Sequence, residues 1–383
     1  MVARSTAELL AQGGFPTWYV GAESPSATGV VTLPSHCRAF YSRQGEGSRV
    51  AGLRYLFNEM INVGHATAAG LRSLRNVRPE VVISNHPLTT ILLRLLYPRM
   101  RLLYRMHDGI HTQNGAVRYF DRILRFFTSE ALERIAVGLA SYVVSPGDRV
   151  RQELLALGVP HWKVCSLYPI VGGMLGVEEV PREPGGGPIA ANGIGSDLRF
   201  VLSIGQQTGR KRFDLLMEAI RHTVKDLDLV LVGDGPLHRH YQELVEALGL
   251  GRRVRFITNA SDRIVQDLYR DCTIFTLVSE GEGFPVTVAE ALSTGVPAIY
   301  ACPSAVNSTP SMLQGLIVEG SLPTAVELGR LLDSAVDAIE SGRFPTRERI
   351  RTGAMAMLTT YDTALTAYRS AFDEMGVQDA PAA

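Results

Sequence analysis

The chain has 383 residues, of which 46% are hydrophobic, so it is long enough for two domains that each bury a core. Lysine plus arginine and aspartate plus glutamate balance at 38 each, which gives no argument for a nucleic-acid partner. No run approaches the roughly 18 apolar residues of a membrane span, and the four cysteines lack the spacing of a metal site. We therefore expect a cytoplasmic protein with reduced thiols.

Strand-like and helical patterns alternate along the first half of the chain, which predicts a parallel sheet with covering helices. We predict strands at 16–20, 80–83, 101–105, 142–144 and 162–167. We predict helices at 48–75, 88–96, 119–138 and 147–157.

The beginning of the chain is unusual for such a domain. Residues 5–14 resemble the first helix of a nucleotide-binding domain, but the strand and glycine loop that normally precede this helix are missing. Either the start codon is misassigned, the sequence is trimmed, or the first strand is truly absent. We favour an incomplete N-terminus, because a central strand is costly to lose.

The second half alternates more regularly and predicts a doubly wound parallel sheet. We predict strands at 200–204, 227–232, 254–257, 273–278, 296–300 and 315–318. We predict helices at 214–224, 237–248, 261–270, 286–294 and 323–341. Ligands bind beyond the carboxyl ends of such strands, so the loops at Gly205, Gly233 and Glu282 should face one cleft.

Composition divides the chain into four segments. An N-terminal domain covers 1–175, and a Gly/Pro-rich linker or insertion covers 176–198. A C-terminal domain covers 199–345. A last helical pattern over Thr346 to Met375 predicts a helix within 346–383.

The segment from Glu282 to Glu290 places two carboxylates eight positions apart across a strand–loop–helix junction. Gly283 permits close approach of another molecule to the backbone, and Pro285 suits the first helical position. Gly295 followed by Pro297 predicts the helix end. A free helix N-terminus beside a carboxylate suits a ligand with both phosphate and hydroxyl groups.

The segment from Ser279 to Pro297 resembles the signature of retaining glycosyltransferases of the GT-B fold, family 4. The resemblance is clear from Phe200 to about Val318 and weaker in the first half. It implies an α/β protein with two doubly wound Rossmann-like domains facing a central cleft. The N-terminal domain would be the acceptor side, the C-terminal domain would bind the nucleotide sugar, and the C-terminal helix would cross back to the N-terminal domain. It also implies metal-independent, retaining transfer of a hexose-type sugar from a UDP- or GDP-sugar to an acceptor hydroxyl. No cofactor is implied beyond this nucleotide-sugar substrate.

The same resemblance assigns roles within the motif. Glu290 would bind the ribose hydroxyls, and Glu282 would be a catalytic residue near the donor sugar. The backbone of Gly283, Phe284 and Pro285 would approach the sugar or the diphosphate. The alternative is that Glu282 caps the helix and Glu290 is a solvated surface residue.

A second cluster of candidates follows the strand at 200–204. The resemblance places Gly205 and Lys211 against the donor, with Lys211 on the diphosphate as a catalytic residue. Gln206 stands where family members have arginine, so Arg210 or Arg212 could supply the missing charge. The alternative is a solvated basic loop.

Two further strand ends contribute candidates. Gly233 belongs to a tight turn that either contacts the donor or is only structural. Phe256 to Asn259 lies where the family holds the nucleotide base. His107 resembles the family's strand-end histidine near the reaction centre, with Asp108 as its neighbour and His111 as a weaker candidate. A purely structural histidine is the alternative.

Two other patterns have weaker functional interpretations. Asp226 and Asp228 imitate a metal-binding pair, but they precede a strand instead of following it, so we expect no metal site. The region from Arg94 to Phe127 interleaves arginines with apolar residues. It predicts either peripheral contact with the inner membrane face or a lipid-linked acceptor, or a helix docked on its own sheet, which we favour.

Two alternatives to a glycosyltransferase remain open. One is a GT-B nucleotide-sugar 2-epimerase, and the other is an inactive GT-B binding protein. The sequence does not identify the acceptor, which could be a small molecule, a glycan or a lipid-linked compound.

Overall fold

The computed structural model describes residues 10, 18–21, 29–32, 79–106, 131–168, 194, 198–282, 284–303, 317–318, 321–357 and 361–377. The chain divides into two compact units. The first comprises Met1–Ile170 with Thr359–Ala383, and the second comprises Val171–Leu358.

The first unit contains a four-stranded parallel sheet in the order β3-β4-β5-β6. A separate parallel pair, β1 with β2, precedes it in the chain. The sequence did not predict β2, a stretch of only four residues with no helical pattern beside it. The elements are β1 Trp18–Gly21, β2 Gly29–Thr32, β3 Val81–Ser84, α1 Pro87–Leu96, β4 Arg101–Arg105, α2 Ala131–Leu139, β5 Tyr142–Ser145, α3 Asp148–Ala156 and β6 Val164–Ser166.

The second unit contains a six-stranded parallel sheet in the order β9-β8-β7-β10-β11-β12. Within this sheet the chain forms β7, β8 and β9 side by side, and it then returns so that β10 pairs with the other edge of β7. Ligands of such sheets bind at this reversal, between the first and fourth strands. The elements are β7 Phe200–Ile204, α4 Phe213–Arg221, β8 Asp228–Val232, α5 His238–Ala247, β9 Val254–Ile257, α6 Asp262–Asp271, β10 Ile274–Val278, α7 Val286–Ser293, β11 Ala298–Ala301, β12 Ile317–Val318, α8 Ala325–Glu340 and α9 Arg347–Met357.

Alternation along these strands builds a core on each face of the second sheet. Phe200 and Leu202 point to one face, where Phe275 joins them, and Val201 and Ile274 point to the other. All five side chains are at most 1% exposed. A strand buried on both faces has a continuous apolar sequence, which is why the sequence predicted these strands within two residues.

The last helical pattern contains two described helices, α9 and α10 (Tyr361–Glu374), and residues 358–360 between them lie outside the described residues. The two units divide after Leu358. Ile350 on α9 packs into the core of the second unit, whereas Tyr368 on α10 packs into that of the first. Apolar periodicity gives the buried face of each helix, but it does not reveal that the two faces belong to different cores.

Three arginines at the beginning of the region from Arg94 to Phe127 donate hydrogen bonds to other groups of the first unit. Arg94 donates through Nε to the Leu139 carbonyl oxygen at 2.8 Å, and Arg101 donates to the Met375 carbonyl oxygen at 2.8 Å. Arg105 is buried and donates to the hydroxyl of Tyr368. The alternatives of membrane contact and of a helix docked on its own sheet concern the segment 119–127, so both stay predictions. Residues 107–130, including Arg118, Arg122 and Arg125, lie outside the described residues.

No helix within the described ranges has the length and apolar character needed to cross a membrane.

Candidate functional site

The candidate site lies at the reversal point of the second sheet, where the loop after β7 meets the loop after β10. The first loop contains a short 3-10 turn, Gly209–Lys211, directly before α4. A backbone hydrogen bond of 2.9 Å from the Glu280 amide to the Arg210 carbonyl oxygen joins the loops. Lys211 and Glu282, which are 71 positions apart in the chain, thereby become neighbours at the strand ends.

A buried carboxylate binds two cations at this junction. Lys211 Nζ lies 2.8 Å from Glu282 Oε1, and Arg210 Nη1 lies 3.1 Å from the same oxygen. The Glu282 and Lys211 side chains are 7% and 12% exposed, whereas that of Arg210 is 39% exposed. Two positive charges on one carboxylate leave this cluster with a net positive charge, which suits an anionic ligand.

Arg212 differs from its neighbour Arg210 in its partners. It occupies the left-handed region, with φ of 42°, at the junction between the 3-10 turn and α4. Its guanidinium lies 2.9 Å from Asp214 Oδ2 and 3.7 Å from Glu280 Oε1. The hydrogen bond to Asp214 also raises the pKa of Arg212. Of the two arginines that the sequence left open, Arg210 therefore joins Lys211 at Glu282, and Arg212 pairs with other carboxylates.

Gly233 must be glycine because the loops after β7 and β8 approach closely. Its φ is 125°, and a Cβ atom there would lie 2.2 Å from the carbonyl oxygen of Gly205. A Cβ at Gly205 would lie 3.5 Å from the side chain of Lys211, which extends over this glycine. Gly205 and Gly233 therefore shape the surface beneath Lys211, and no contact with a ligand is needed to explain them.

Gln207 stabilises the turn at Gly233 through a hydrogen bond, and sequence reasoning missed this role. It is fully buried, and its Nε2 donates to the Gly233 carbonyl oxygen at 2.7 Å. Its Oε1 lies 2.9 Å from Nδ1 of His238. The neighbouring Gln206 is exposed. No signal in the sequence separates these two adjacent glutamines, because their burial depends on how the loop turns.

Glu290 lies in the second turn of α7 and faces α6. Tyr269, which is fully buried, donates its hydroxyl to Glu290 Oε2 at 3.0 Å and to the Thr287 carbonyl oxygen at 3.1 Å. Burial raises the pKa of Glu290 to about 7; the Tyr269 hydrogen bond lowers that pKa and the charge of Asp262 raises it. Glu290 is thus half-buried and hydrogen-bonded, unlike a solvated surface residue.

The remaining candidates differ in how far the structure describes them. Phe284 is half-buried, and Pro285 lies directly before α7, whose first residue is Val286, so Pro285 is not at the first helical position as predicted. The Pro285 carbonyl oxygen accepts from the amides of Val288 and Ala289. The candidates outside the described residues are His107, Asp108, His111 and Gly283.

Of the two aspartates Asp226 and Asp228, the second has a structural role. Asp228 begins β8, at the end of the sheet opposite the site loops, and pairs with Arg255. In the described part of the chain, no three His, Cys, Asp or Glu side chains are grouped so that they could hold a metal ion.

Sequence comparisons connect this unit with known proteins. Residues 189–327 match the family described as Glycosyl transferases group 1. The chain is 26% identical over 162 residues to lipopolysaccharide 1,6-galactosyltransferase of Salmonella typhimurium strain LT2, covering 42% of each protein. It is 23% identical over 293 residues to D-inositol 3-phosphate glycosyltransferase of Geodermatophilus obscurus, covering 72% of this chain and 62% of that protein. The matches span less than two thirds of these relatives.

Solved structures extend the likeness to the fold of the whole chain. A crystal structure of Anabaena Alr3699/HepE in complex with UDP-glucose matches with a TM-score of 0.60 at 16% identity, covering 81% of this chain and 82% of that one. The crystal structure of WaaG, a glycosyltransferase involved in lipopolysaccharide biosynthesis, matches with a TM-score of 0.67 at 15% identity, covering 97% and 94%. At these identities the likeness establishes the fold alone. The chain therefore has the GT-B fold and carries a glycosyl transferases group 1 domain.

Proposed function

We propose that this protein is a retaining, family 4-type glycosyltransferase that moves a hexose-type sugar from a UDP- or GDP-sugar to an acceptor hydroxyl. The observation that carries the proposal is the cluster of Lys211 and Arg210 around Glu282 at the reversal point of the second sheet. The matched family and the names of the similar proteins support the same activity.

Lys211 and Arg210 would bind the diphosphate of the donor. Both cations lie at the carboxyl ends of parallel strands, where ligands of doubly wound sheets bind. When the glycosidic bond to the diphosphate breaks, negative charge develops on the departing phosphate oxygen, and fixed cations stabilise that charge. Arg210 would replace the arginine that the family has at the position of Gln206. Because these cations serve the leaving group, the proposed reaction requires no metal.

Glu282 would exchange partners when the donor binds. In this structure its Oε1 accepts from Lys211 and Arg210. Phosphate oxygens compete for the same two cations, and a sugar hydroxyl is a suitable replacement donor for a buried carboxylate. Glu282 would then hold the donor sugar while the cations hold the diphosphate.

Glu290 would accept two hydrogen bonds from the ribose hydroxyls, a pairing that suits an ionised carboxylate. The backbone of Gly283 and Phe284 would approach the donor, as the N-terminus of α7 favours anionic oxygen. His107 would donate a hydrogen bond to the sugar or to developing charge.

The test is turnover of nucleotide sugars by the purified chain. UDP- and GDP-sugars that raise the melting temperature identify the donor, because ligands that bind the folded state stabilise it. The donor is then incubated with small-molecule, glycan and lipid-linked acceptors, with and without EDTA, and NMR of the product gives the anomeric configuration. Transfer with retention and without metal is expected. A new sugar isomer formed without any acceptor would instead indicate an epimerase, and binding without turnover would indicate an inactive protein.

Substitutions in the cluster connect the activity with the site. Lys211→Ala should lower kcat by at least about 100-fold, the size of effect measured when a single group that stabilises transition-state charge is removed. Arg212→Ala is the matched control, because Arg212 pairs with Asp214 and Glu280 instead of Glu282. Equal losses in both variants would contradict the assignment of the cluster.

A further inference from the structure

Tyr269 contacts the carboxylate of Glu290, the residue proposed to bind the donor ribose, although the two residues lie on different helices. It belongs to α6, and its ring packs against Phe275 of β10 with a centroid distance of 5.6 Å. The side chain is fully buried, so its hydroxyl cannot turn outward to water. A buried hydroxyl requires a hydrogen-bond partner, and here the partners are Oε2 of Glu290 and the carbonyl oxygen of Thr287.

The two acceptors fix the direction of the hydrogen bond. A backbone carbonyl oxygen and an ionised carboxylate can only accept, so with Glu290 ionised the hydroxyl hydrogen is shared between Thr287 and Glu290. Burial raises the pKa of Tyr269 well above its usual value, so the phenol keeps its proton and remains a donor. This hydrogen bond holds the Oε2 oxygen of Glu290 and so restricts the conformation of its side chain.

The other carboxylate oxygen has different surroundings. Among the described residues, Oε1 of Glu290 has no hydrogen-bond partner from the protein. An ionised carboxylate accepts up to four hydrogen bonds, so one donor on Oε2 leaves capacity for two ligand hydroxyls. Resting on the proposed function, we propose that Tyr269 is a positioning residue that holds Glu290 for the vicinal diol of the donor ribose.

The same contact affects the ionisation of Glu290. Among the described residues, the titratable groups that shift the pKa of Glu290 are Tyr269 and Asp262, both on α6. On α9, which packs against α7, Arg347 binds the carbonyl oxygens of Arg270 and Cys272, and β10 and β11 carry no charged side chain. Without the Tyr269 hydrogen bond, the pKa of Glu290 would rise further, because that bond opposes the effect of burial.

The test is a double-mutant cycle of Tyr269→Phe and Glu290→Gln, with UDP and GDP as probes and calorimetry across pH 6 to 9. Tyr269→Phe should weaken nucleotide binding about tenfold at pH 7.5, comparable with the loss of one hydrogen bond to a charged group. It should also move the midpoint of the pH dependence to higher pH. In the Glu290→Gln background, Tyr269→Phe should have little further effect on affinity. Circular dichroism and melting temperature establish that each variant is folded.

The outcomes separate this inference from the proposed function. Equal weakening by Tyr269→Phe in both backgrounds would show a general structural role for Tyr269 and overturn the inference. Sensitivity to Glu290→Gln with no effect of Tyr269→Phe would overturn the inference alone and leave the donor site intact. If neither UDP nor GDP binds the unmodified chain, both the inference and the proposed function fail.

Discussion

Substituting Glu282 with glutamine should separate donor affinity from turnover. Glutamine keeps the shape of the side chain but removes its charge. In the present structure the carboxylate binds Lys211 at 2.8 Å and Arg210 at 3.1 Å, so it competes with phosphate for both cations. Glu282→Gln should therefore strengthen the binding of free UDP or GDP while it weakens catalysis.

The structure indicates the size of both effects. Hydrogen bonds to charged groups contribute about 1.5–3 kcal/mol each, and breaking a buried pair costs about 3–5 kcal/mol when one charge remains alone. Arg210 is 39% exposed, so water relieves part of the remaining repulsion between the cations. We expect a loss of about 2–3 kcal/mol in the free energy of unfolding. The nucleoside diphosphate should gain about 1 kcal/mol in binding, roughly a fivefold lower Kd.

Urea unfolding measures the stability, and calorimetry with UDP and GDP measures the affinity. Glu280→Gln is the control, because the Glu280 side chain lies 3.7 Å from Arg212 and the residue contacts Arg210 through its backbone amide, which the substitution keeps. If Glu282→Gln weakens nucleotide binding as much as Lys211→Ala does, Glu282 orients Lys211 instead of competing with phosphate. That result would refute the proposed exchange of partners.

Three further predictions follow from individual contacts. Gly233→Ala should lower stability and nucleotide affinity together, measured by melting temperature and calorimetry, since its Cβ would lie 2.2 Å from the Gly205 carbonyl oxygen. Nucleotide affinity should fall as the pH drops through about 7, because protonated Glu290 accepts hydroxyl donors poorly; Glu290→Gln should abolish this part of the pH dependence. Tyr368→Phe should lower the free energy of unfolding of the first unit by about 1–3 kcal/mol in urea titrations, because buried Arg105 loses its hydroxyl acceptor. Unchanged stability in that variant would mean that another group satisfies Arg105.

Sequence reasoning predicted the second unit well, because its strands are continuous apolar runs and its helices have a regular apolar face. The resemblance to family 4 glycosyltransferases indicated Lys211 and Glu282 as candidates. It could not choose between Arg210 and Arg212, since the choice depends on the left-handed backbone of Arg212 and on where Asp214 lies.

Tyr269 was missed for a related reason. It lies 21 positions from Glu290, on a helix whose pattern marks it as an ordinary core residue. Nothing in the linear pattern shows that its hydroxyl ends beside a carboxylate. Polar contacts at the rim of a core depend on the distance between two helices, and sequence periodicity does not give that distance.

The pairing of β7 with β10 explains how two separate loops can hold their charged side chains at a fixed distance. Val201 pairs with Ile274 and Leu202 pairs with Phe275, which sets β7 and β10 side by side. Lys211 and Glu282 each follow one of these strands by a short loop, so the strand pairing fixes the distance between their charges. Because side chains alternate along a strand, a slip of β10 by one residue would move its side chains to the opposite face and turn Phe275 out of the core that it shares with Leu202. The hydrophobic pattern that forms the core is thus the same constraint that holds the cationic loop against its carboxylate.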